Sequence, residues 1–231
     1  HFTADVLQGA PPYSALAIDA AGLLYAGSSE GVMVFRSGIW EHIELPGHAA
    51  VYTLLASRDG GIYVGGRRTY GRLHMHADGR WVYQDMLARL HGVDADAHSR
   101  DYYGLLETSA GVMARAADSL YLLPPQGPGK RLALPAGTVQ RIFVVDDALY
   151  ARIEGKGLAR LQAGRAVPIA GGEVFARQRV VGVWRMQTGL LIAAADGLYA
   201  SGQGGMRKLH TDVDAAFARH RPYAGIRLRD G

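Results

Sequence analysis

The sequence predicts an all-β protein, a β-propeller built from four-stranded antiparallel blades. Apolar runs of four to six residues alternate with glycine-rich turns, and such runs favour strands over helices. The runs fall into groups of four, and five such groups follow one another. The second runs align at Tyr25, Tyr63, Met113, Tyr150 and Ile192, with steps of 38, 50, 37 and 42 residues. Steps of this length are typical of propeller blades.

Residues 15–43 show one group in full. Turn dipeptides, Ala21-Gly22 and Ser37-Gly38, separate short apolar or alternating runs, and glycine supplies the backbone geometry that such turns need. One four-stranded sheet cannot bury both of its faces alone, so it needs neighbours on either side. The predicted strands of this group are residues 15–19, 23–27, 32–35 and 39–43.

The repeat predicts five full blades plus partial blades at both ends. Residues 1–5 resemble the last strand of a preceding blade, and residues 222–231 the start of a further one. The chain, residues 1–231, is therefore expected to be a single propeller domain or part of a larger propeller. The predicted full blades are residues 14–46, 50–85, 101–135, 138–170 and 179–210.

Two segments interrupt the strand pattern. Residues 86–100 form an insertion that accounts for the 50-residue step, and residues 86–90 within it predict one helical turn. Residues 211–218 begin with a threonine and an aspartate at the spacing of a helix cap, which predicts a short helix.

Composition excludes several kinds of site. The chain has no cysteine, so it can hold no disulfide, no thiolate zinc site and no cysteine nucleophile. The net charge is +4, but the arginines are scattered, which favours a solvated basic surface over nucleic-acid binding. No apolar stretch approaches the ~20 residues of a membrane span. We therefore expect no nucleic-acid partner and a membrane connection only through segments outside this chain.

Several stretches resemble the two-component-regulator propeller repeat. They are residues 2–5, 17–27, 30–35, 58–65 and 196–199, and together these short matches extend over nearly the whole chain. The chain departs from the repeat where Tyr or Met replaces the usual tryptophan of the second strand. The third and fourth groups also lack the Gly-Thr that ends that strand.

The resemblance implies a periplasmic sensor domain. Propellers of this family precede a membrane segment and a cytoplasmic output module, such as a histidine kinase, a diguanylate cyclase or a DNA-binding module. By this resemblance the chain is expected to be the sensor part of a membrane-anchored bacterial signalling protein.

Two glycine-rich motifs resemble catalytic loops without their context. Residues 27–31 match the G-x-S-x-G pattern, but a hydrolase elbow needs a helix after the serine and a strand pattern follows here. Residues 127–130 lack the spacing, the hydroxyl residue and the helix of a phosphate-binding loop. We interpret the first as a turn between strands and the second as a proline-rich connection.

A metal site is a weaker interpretation than ordinary structure for the histidine-rich segments. His74 and His76 alternate on one predicted strand and would need a third ligand. The insertion offers four candidates, but we favour a polar outer strand and a solvated loop as the explanation of these residues. We therefore predict no metal and no cofactor. The candidates in the insertion are His91, Asp94, Asp96 and His98.

Aromatic residues at strand positions are expected in the core. The three tryptophans and the tyrosines of the second strands would pack between blades, as large aromatic side chains usually do. The tryptophans are Trp40, Trp81 and Trp184.

Propeller geometry places the candidate binding residues. Loops between second and third strands, and loops leading into first strands, share one rim of a propeller. The guanidinium groups of Arg67 and Arg68 could donate paired hydrogen bonds to a carboxylate, a sulfate or a sugar acid. The candidates on this rim are Glu30, Arg67, Arg68, Tyr70, Arg100, Asp101, Tyr102, Glu154, Lys156 and Asp196.

These observations predict a non-catalytic sensor propeller that binds a small ligand, a carbohydrate or an organic acid, or a partner domain. No combination of nucleophile, base and orienting residue stands out, so no catalytic residue is predicted. The alternatives are a structural protein-interaction propeller, which could also form a homodimer, and a propeller lyase whose groups converge from distant blades.

Overall fold

A computed structural model describes residues 13–220 and 222–225. It contains five four-stranded antiparallel sheets, each with its strands side by side in sequence order. The predicted all-β class and the predicted number of four-stranded sheets are therefore confirmed. We call the five sheets blades 1–5 in chain order. Blade 1 comprises β1 (Ala15–Ile18), β2 (Leu24–Gly27), β3 (Gly31–Arg36) and β4 (Ile39–Glu44). Blade 2 comprises β5 (Val51–Ala56), β6 (Ile62–Gly66), β7 (Thr69–Met75) and β8 (Trp81–Asp85). Blade 3 comprises β9 (Gly104–Thr108), β10 (Gly111–Arg115), β11 (Ser119–Leu123) and β12 (Lys130–Ala133). Blade 4 comprises β13 (Val139–Val145), β14 (Ala148–Ile153), β15 (Gly157–Gln162) and β16 (Arg165–Pro168). Blade 5 comprises β17 (Val180–Arg185), β18 (Leu190–Ala194), β19 (Gly197–Gly202) and β20 (Gly205–Leu209).

Helical structure is sparse in the described part of the chain. The predicted turn in the insertion is a 3₁₀ helix at Leu87–Leu90, and a second follows at Ala97–Ser99. The predicted short helix is α1 (Asp214–Arg219), preceded by a hydrogen bond of 3.1 Å from Thr211 Oγ1 to Asp214 Oδ1. Among the described residues, no helix is long and apolar enough to cross a membrane.

The chain divides into two compact units, His1–Ala133 and Leu134–Gly231. Unit 1 holds blades 1–3, and unit 2 holds blades 4 and 5. A single propeller over the whole chain stays a prediction. The predicted partial blades fall largely on residues 1–12 and 226–231, which lie outside the described residues, and residues 222–225 form no strand.

Blades 1 and 2 share an apolar core. Tyr25 pairs with Val34 across β2 and β3, which puts both side chains on the face toward blade 2. There they meet Ile62 and Val64, and the ring of Trp81 lies edge-on to Tyr25 at 5.7 Å. The prediction that second-strand tyrosines are core residues is confirmed for Tyr25 and for Tyr63, which are 1% and 7% exposed.

The insertion fills the core between blades 2 and 3. Leu87, Leu90 and Ala97 are buried, and they pack in one cluster with the rings of Tyr102 and Tyr121. The expected solvated loop is therefore confirmed for the exposed His91, Asp96 and His98 but not for Asp94, which is buried with the apolar side chains of this segment.

Unit 2 has its own core between blades 4 and 5. Leu158 of blade 4 meets Val183 and Ile192 of blade 5. The ring of Phe175, from the segment before β17, lies edge-on to Tyr199 at 5.1 Å. These residues form the buried core between the two blades.

In unit 1, one backbone hydrogen bond of 2.9 Å links blade 1 to blade 2, and a second of the same length links blade 2 to blade 3. Val51 N donates to Ser28 O, and Tyr102 N donates to Gly66 O. In each case the end of the second strand, or the residue just after it, is joined to a residue at or just before the start of the next blade. Ser28 itself is buried and bonds Gly31 O at 3.1 Å, so the serine motif is a turn, as predicted.

Candidate functional site

Four loops of unit 1 line a cavity of about 960 Å³. One leads into blade 2, one is the β6–β7 turn, one leads into blade 3, and one is the β10–β11 turn. We call this space the unit 1 cavity. It is lined by Pro46, Gly47, Ala49, Arg67, Arg68, Ser99, Arg100, Asp101, Tyr103, Ala116 and Ala117.

The β6–β7 turn presents two exposed arginines to this cavity. Its backbone is fixed by hydrogen bonds from Arg67 N to Ala50 O, at 2.8 Å, and from Arg68 N to Asp101 Oδ1, at 3.1 Å. Arg68 has a φ of 54°, in the left-handed region. Within the described residues, neither guanidinium has an ion pair. The turn is therefore held in place while both of its charges face the cavity unpaired.

Arg100 lies in the same cavity but its charge is neutralised. Its Nε lies 2.9 Å from Asp94 Oδ2, and its Nη1 lies 2.9 Å from Asp118 Oδ1. Arg131 approaches both acids as well, at 3.8 and 3.4 Å. The Tyr121 hydroxyl donates to Asp94. These five residues form a charge network that ties the insertion to blade 3.

The environment of Asp94 favours its ionised form. The hydrogen bond from Tyr121 and the Asp96 N–H, together with the two guanidiniums, hold the pKa of Asp94 below its ordinary 3.8, against the opposing effect of burial. Burial and the neighbouring carboxylate raise the pKa of Tyr121 to about 12. The network therefore keeps its charges throughout the neutral pH range.

An acid and an aromatic ring complete the cavity. Asp101 Oδ1 accepts the Arg68 N–H, and Oδ2 lies 3.4 Å from the Tyr103 hydroxyl. Asp101 forms no ion pair with any described residue. Tyr103 is 49% exposed, and its ring stacks flat on Tyr52, with centroids 5.5 Å apart and planes 3° apart. This stacking fixes the orientation of the Tyr103 ring, which forms one side of the cavity.

The structure brings together four of the predicted rim residues, Arg67, Arg68, Arg100 and Asp101. It corrects two others. Tyr70 and Tyr102 are fully buried, and their hydroxyls bond Val112 O at 3.3 Å and Ala97 O at 2.9 Å. Their rings pack between blades 2 and 3, so these tyrosines belong to the core and not to the rim.

The other predicted rim residues lie elsewhere. Glu30 is exposed in the β2–β3 turn and does not line the unit 1 cavity. Glu154 pairs with Arg152, and Lys156 Nζ donates to Ala136 O at 3.2 Å. Both are therefore engaged by neighbouring groups within unit 2.

Asp196 lines a separate cavity of about 460 Å³ in unit 2, together with Arg177, Gln178 and Arg179. Its Oδ2 accepts a hydrogen bond of 2.9 Å from the Tyr199 hydroxyl and lies 3.3 Å from Lys208 Nζ. Residues of blade 5 therefore already supply the Asp196 carboxylate with a hydrogen bond and an ion pair.

Sequence reasoning missed Tyr103 and the loop before blade 2. A signal for Tyr103 was present, because alternation along an extended segment places neighbouring side chains on opposite sides. With Tyr102 in the core, Tyr103 must face outward. The loop at residues 46–49 carries no chemical signal, and only the fold brings it to the arginine turn.

The side chains at the cavity supply charged and aromatic groups. No group of three or more His, Asp or Glu residues within residues 13–220 and 222–225 could hold a metal ion. The polar lining consists of arginines, one acid, one serine and one tyrosine. This arrangement can bind charged groups and stack a flat or apolar surface.

Comparisons with known proteins bear on the fold. No protein-family model matches the chain, and a search of the curated proteins found no match. Virginiamycin B lyase from Staphylococcus aureus is similar in structure, with a TM-score of 0.63, 17% identity, and coverage of 92% of this chain and 73% of the lyase.

Two further solved structures show the same architecture. The extracellular domain of a protein described as a hybrid two-component system from B. thetaiotaomicron has a TM-score of 0.60 and 15% identity. The match covers 90% of this chain but only 28% of that one. The Cps50 β-propeller domain from Myceliophteria thermophila has a TM-score of 0.58 and 10% identity, over 89% of this chain and 76% of that domain. At these identities the likeness supports a propeller fold and carries no activity with it.

Proposed function

We propose that this chain is a non-catalytic sensor propeller that binds a small anionic ligand in the unit 1 cavity. The observation that carries the proposal is the pair of unpaired guanidiniums, Arg67 and Arg68, on a turn whose backbone is fixed by hydrogen bonds. Two planar forks of donors suit the two oxygens of a carboxylate or the oxygens of a sulfate.

The ligand class is an organic acid or an acidic carbohydrate. The cavity, at about 960 Å³, is large enough for a molecule of that size. The fixed ring of Tyr103 offers a flat apolar surface beside the arginines, on which a sugar ring or an aliphatic chain can pack.

We further propose that the domain works outside the cytoplasm and relays binding to a cytoplasmic output module. The repeat stretches in the sequence support this role. The likeness to the extracellular domain from B. thetaiotaomicron agrees with it. The likeness to a lyase supports the fold only, and no set of converging nucleophile and base favours an enzyme at this cavity. Homodimer formation stays a prediction, and light scattering of the purified chain measures it.

The test is ligand-induced stabilisation. Succinate, citrate, glucuronate and galacturonate are compared with neutral glucose by thermal shift. An acid present at 100 times its Kd should stabilise the protein by about 2.7 kcal/mol. The double variant Arg67→Gln/Arg68→Asn should lose that shift, since asparagine tolerates the left-handed backbone at position 68.

Arg80→Gln is the matched control, because Arg80 is an exposed arginine of the same blade that pairs with Asp78 away from the cavity. This control should keep the full ligand shift. The proposal fails if no acid stabilises the protein, or if the double variant responds to the acids as the unmodified protein does.

A further inference from the structure

The unit 1 cavity carries opposite charges that do not pair with each other. Arg67 and Arg68 present two positive groups, and Asp101 presents one negative group. None of the three forms an ion pair with a described residue. This differs from Arg100 in the same cavity, whose charge is satisfied by Asp94 and Asp118.

The acid is fixed close to the arginine turn. Asp101 Oδ1 is held at 3.1 Å by the Arg68 N–H, so the carboxylate sits at the root of the turn that carries both guanidiniums. Among the described residues, Oδ2 accepts only the long hydrogen bond of 3.4 Å from the Tyr103 hydroxyl, so it can also accept a stronger, shorter hydrogen bond from a ligand. One small molecule can therefore reach the positive and the negative groups together.

A purely anionic ligand would use only part of this site. Its carboxylate would gain from the arginines but would be repelled by the nearby Asp101 carboxylate. If the ligand also carries an ammonium group beside its carboxylate, the Asp101 carboxylate attracts that ammonium group. The half-exposed ring of Tyr103, held flat on Tyr52, adds a face that attracts cations and packs against apolar chains.

We propose that the ligand of the unit 1 cavity is a zwitterion of the amino-acid type, a free amino acid or a short peptide. Its carboxylate binds Arg67 and Arg68, its ammonium group binds Asp101, and its side chain lies against Tyr103. The inference rests on the proposed function: it keeps the carboxylate on the two arginines and replaces the purely anionic ligand by one that also carries an ammonium group.

The experiment compares matched compounds. The twenty common amino acids and their glycyl dipeptides are screened by thermal shift, and each hit is measured by calorimetry beside its N-acetyl and its C-amide derivatives. The free compound should bind roughly 10- to 100-fold more tightly than either derivative, since each derivative lacks one charge-assisted hydrogen bond. The size of the best hit decides between an amino acid and a peptide as the source.

Asp101→Asn gives the decisive variant, because it keeps the shape and the acceptor for Arg68 N–H but removes the charge. The free amino acid should bind roughly 10- to 100-fold more weakly to this variant, while its N-acetyl derivative should bind as well or better. Misfolding cannot produce such opposite changes. Asp78→Asn, an exposed acid of the same blade outside the cavity, should change neither affinity.

Two results would overturn the inference in different ways. If free and N-acetylated compounds bind equally, and both lose affinity in Arg67→Gln/Arg68→Asn, the site takes anions and only the zwitterion is wrong. If no compound, including the acids tested above, binds in a manner that depends on the two arginines, the proposed function fails and the inference fails with it.

Discussion

Asp94 is the charged side chain that secures the insertion to blade 3. It is 8% exposed and is met by Tyr121, Arg100 and Arg131. Asp94→Asn should lower the free energy of unfolding by about 2–3 kcal/mol, because two partly buried guanidiniums lose a common partner. Urea unfolding at pH 7 measures this loss. Asp96→Asn, an exposed acid in the same insertion, is the control and should be nearly neutral.

The same carboxylate gives a pH dependence of known sign. Its folded-state pKa lies below its ordinary 3.8, so its contribution is complete above that value and is lost as the pH falls through the folded-state pKa. The difference in stability between the unmodified protein and Asp94→Asn should be constant from pH 8 to 5 and shrink below about pH 4. A difference that grows on acidification would contradict an ionised Asp94.

Arg152 holds the segment before blade 5 to blade 4. It is 2% exposed, and its guanidinium donates to the carbonyls of Phe175, Ala176 and Gln178 at 2.8–3.0 Å. Arg152→Met should cost about 3 kcal/mol of stability, because those buried carbonyls lose their donors. Thermal unfolding checks this, with the exposed Arg160→Met on β15 expected to shift the Tm little. Equal shifts would show that the buried hydrogen bonds add nothing.

At the scale of elements, the third strand of blade 4 begins at a glycine beside the backbone of residue 172. Gly157, the first residue of β15, has a φ of +93°, and a Cβ there would lie 2.1 Å from Gly172 O. The neighbouring Gly155 has a φ of +71° with nothing within 4 Å. The two positions share a left-handed backbone but differ in available space.

This pair separates backbone strain from steric overlap. Gly155→Ala should cost about 1 kcal/mol through its backbone conformation alone. Gly157→Ala should lower the free energy of unfolding by about 2–4 kcal/mol, because the new Cβ also overlaps the backbone of Gly172, which has to shift. Denaturant unfolding of the two variants gives the comparison. Equal losses of stability in the two variants would mean that the backbone at residue 172 moves away from the added Cβ at little cost.

At the scale of the whole molecule, the division into two compact units predicts two unfolding transitions. We expect differential scanning calorimetry to resolve them, one for blades 1–3 and one for blades 4 and 5. Asp94→Asn should lower only the first transition and Arg152→Met only the second. If both variants shift a single transition, the units unfold as one cooperative body, as a single propeller domain would.

The sequence by itself determined the repeat. Strand length, the four strands of each blade and their turns follow from local patterns, since alternation and glycine act over a few residues. This is why residues 15–43 predicted one blade correctly, why the serine of residues 27–31 could be assigned to a turn, and why Arg67 and Arg68 could be placed at a loop.

Only the tertiary structure decided which residues of the loops face a cavity and which face the core. Tyr70 bonds a carbonyl 42 residues away, and Tyr121 bonds a carboxylate 27 residues away. No local pattern encodes such partners, because they depend on how blade 3 and the insertion pack on blade 2. That packing buries Tyr70 and Tyr102, turns Tyr103 outward, and brings Asp101 against the Arg67–Arg68 turn.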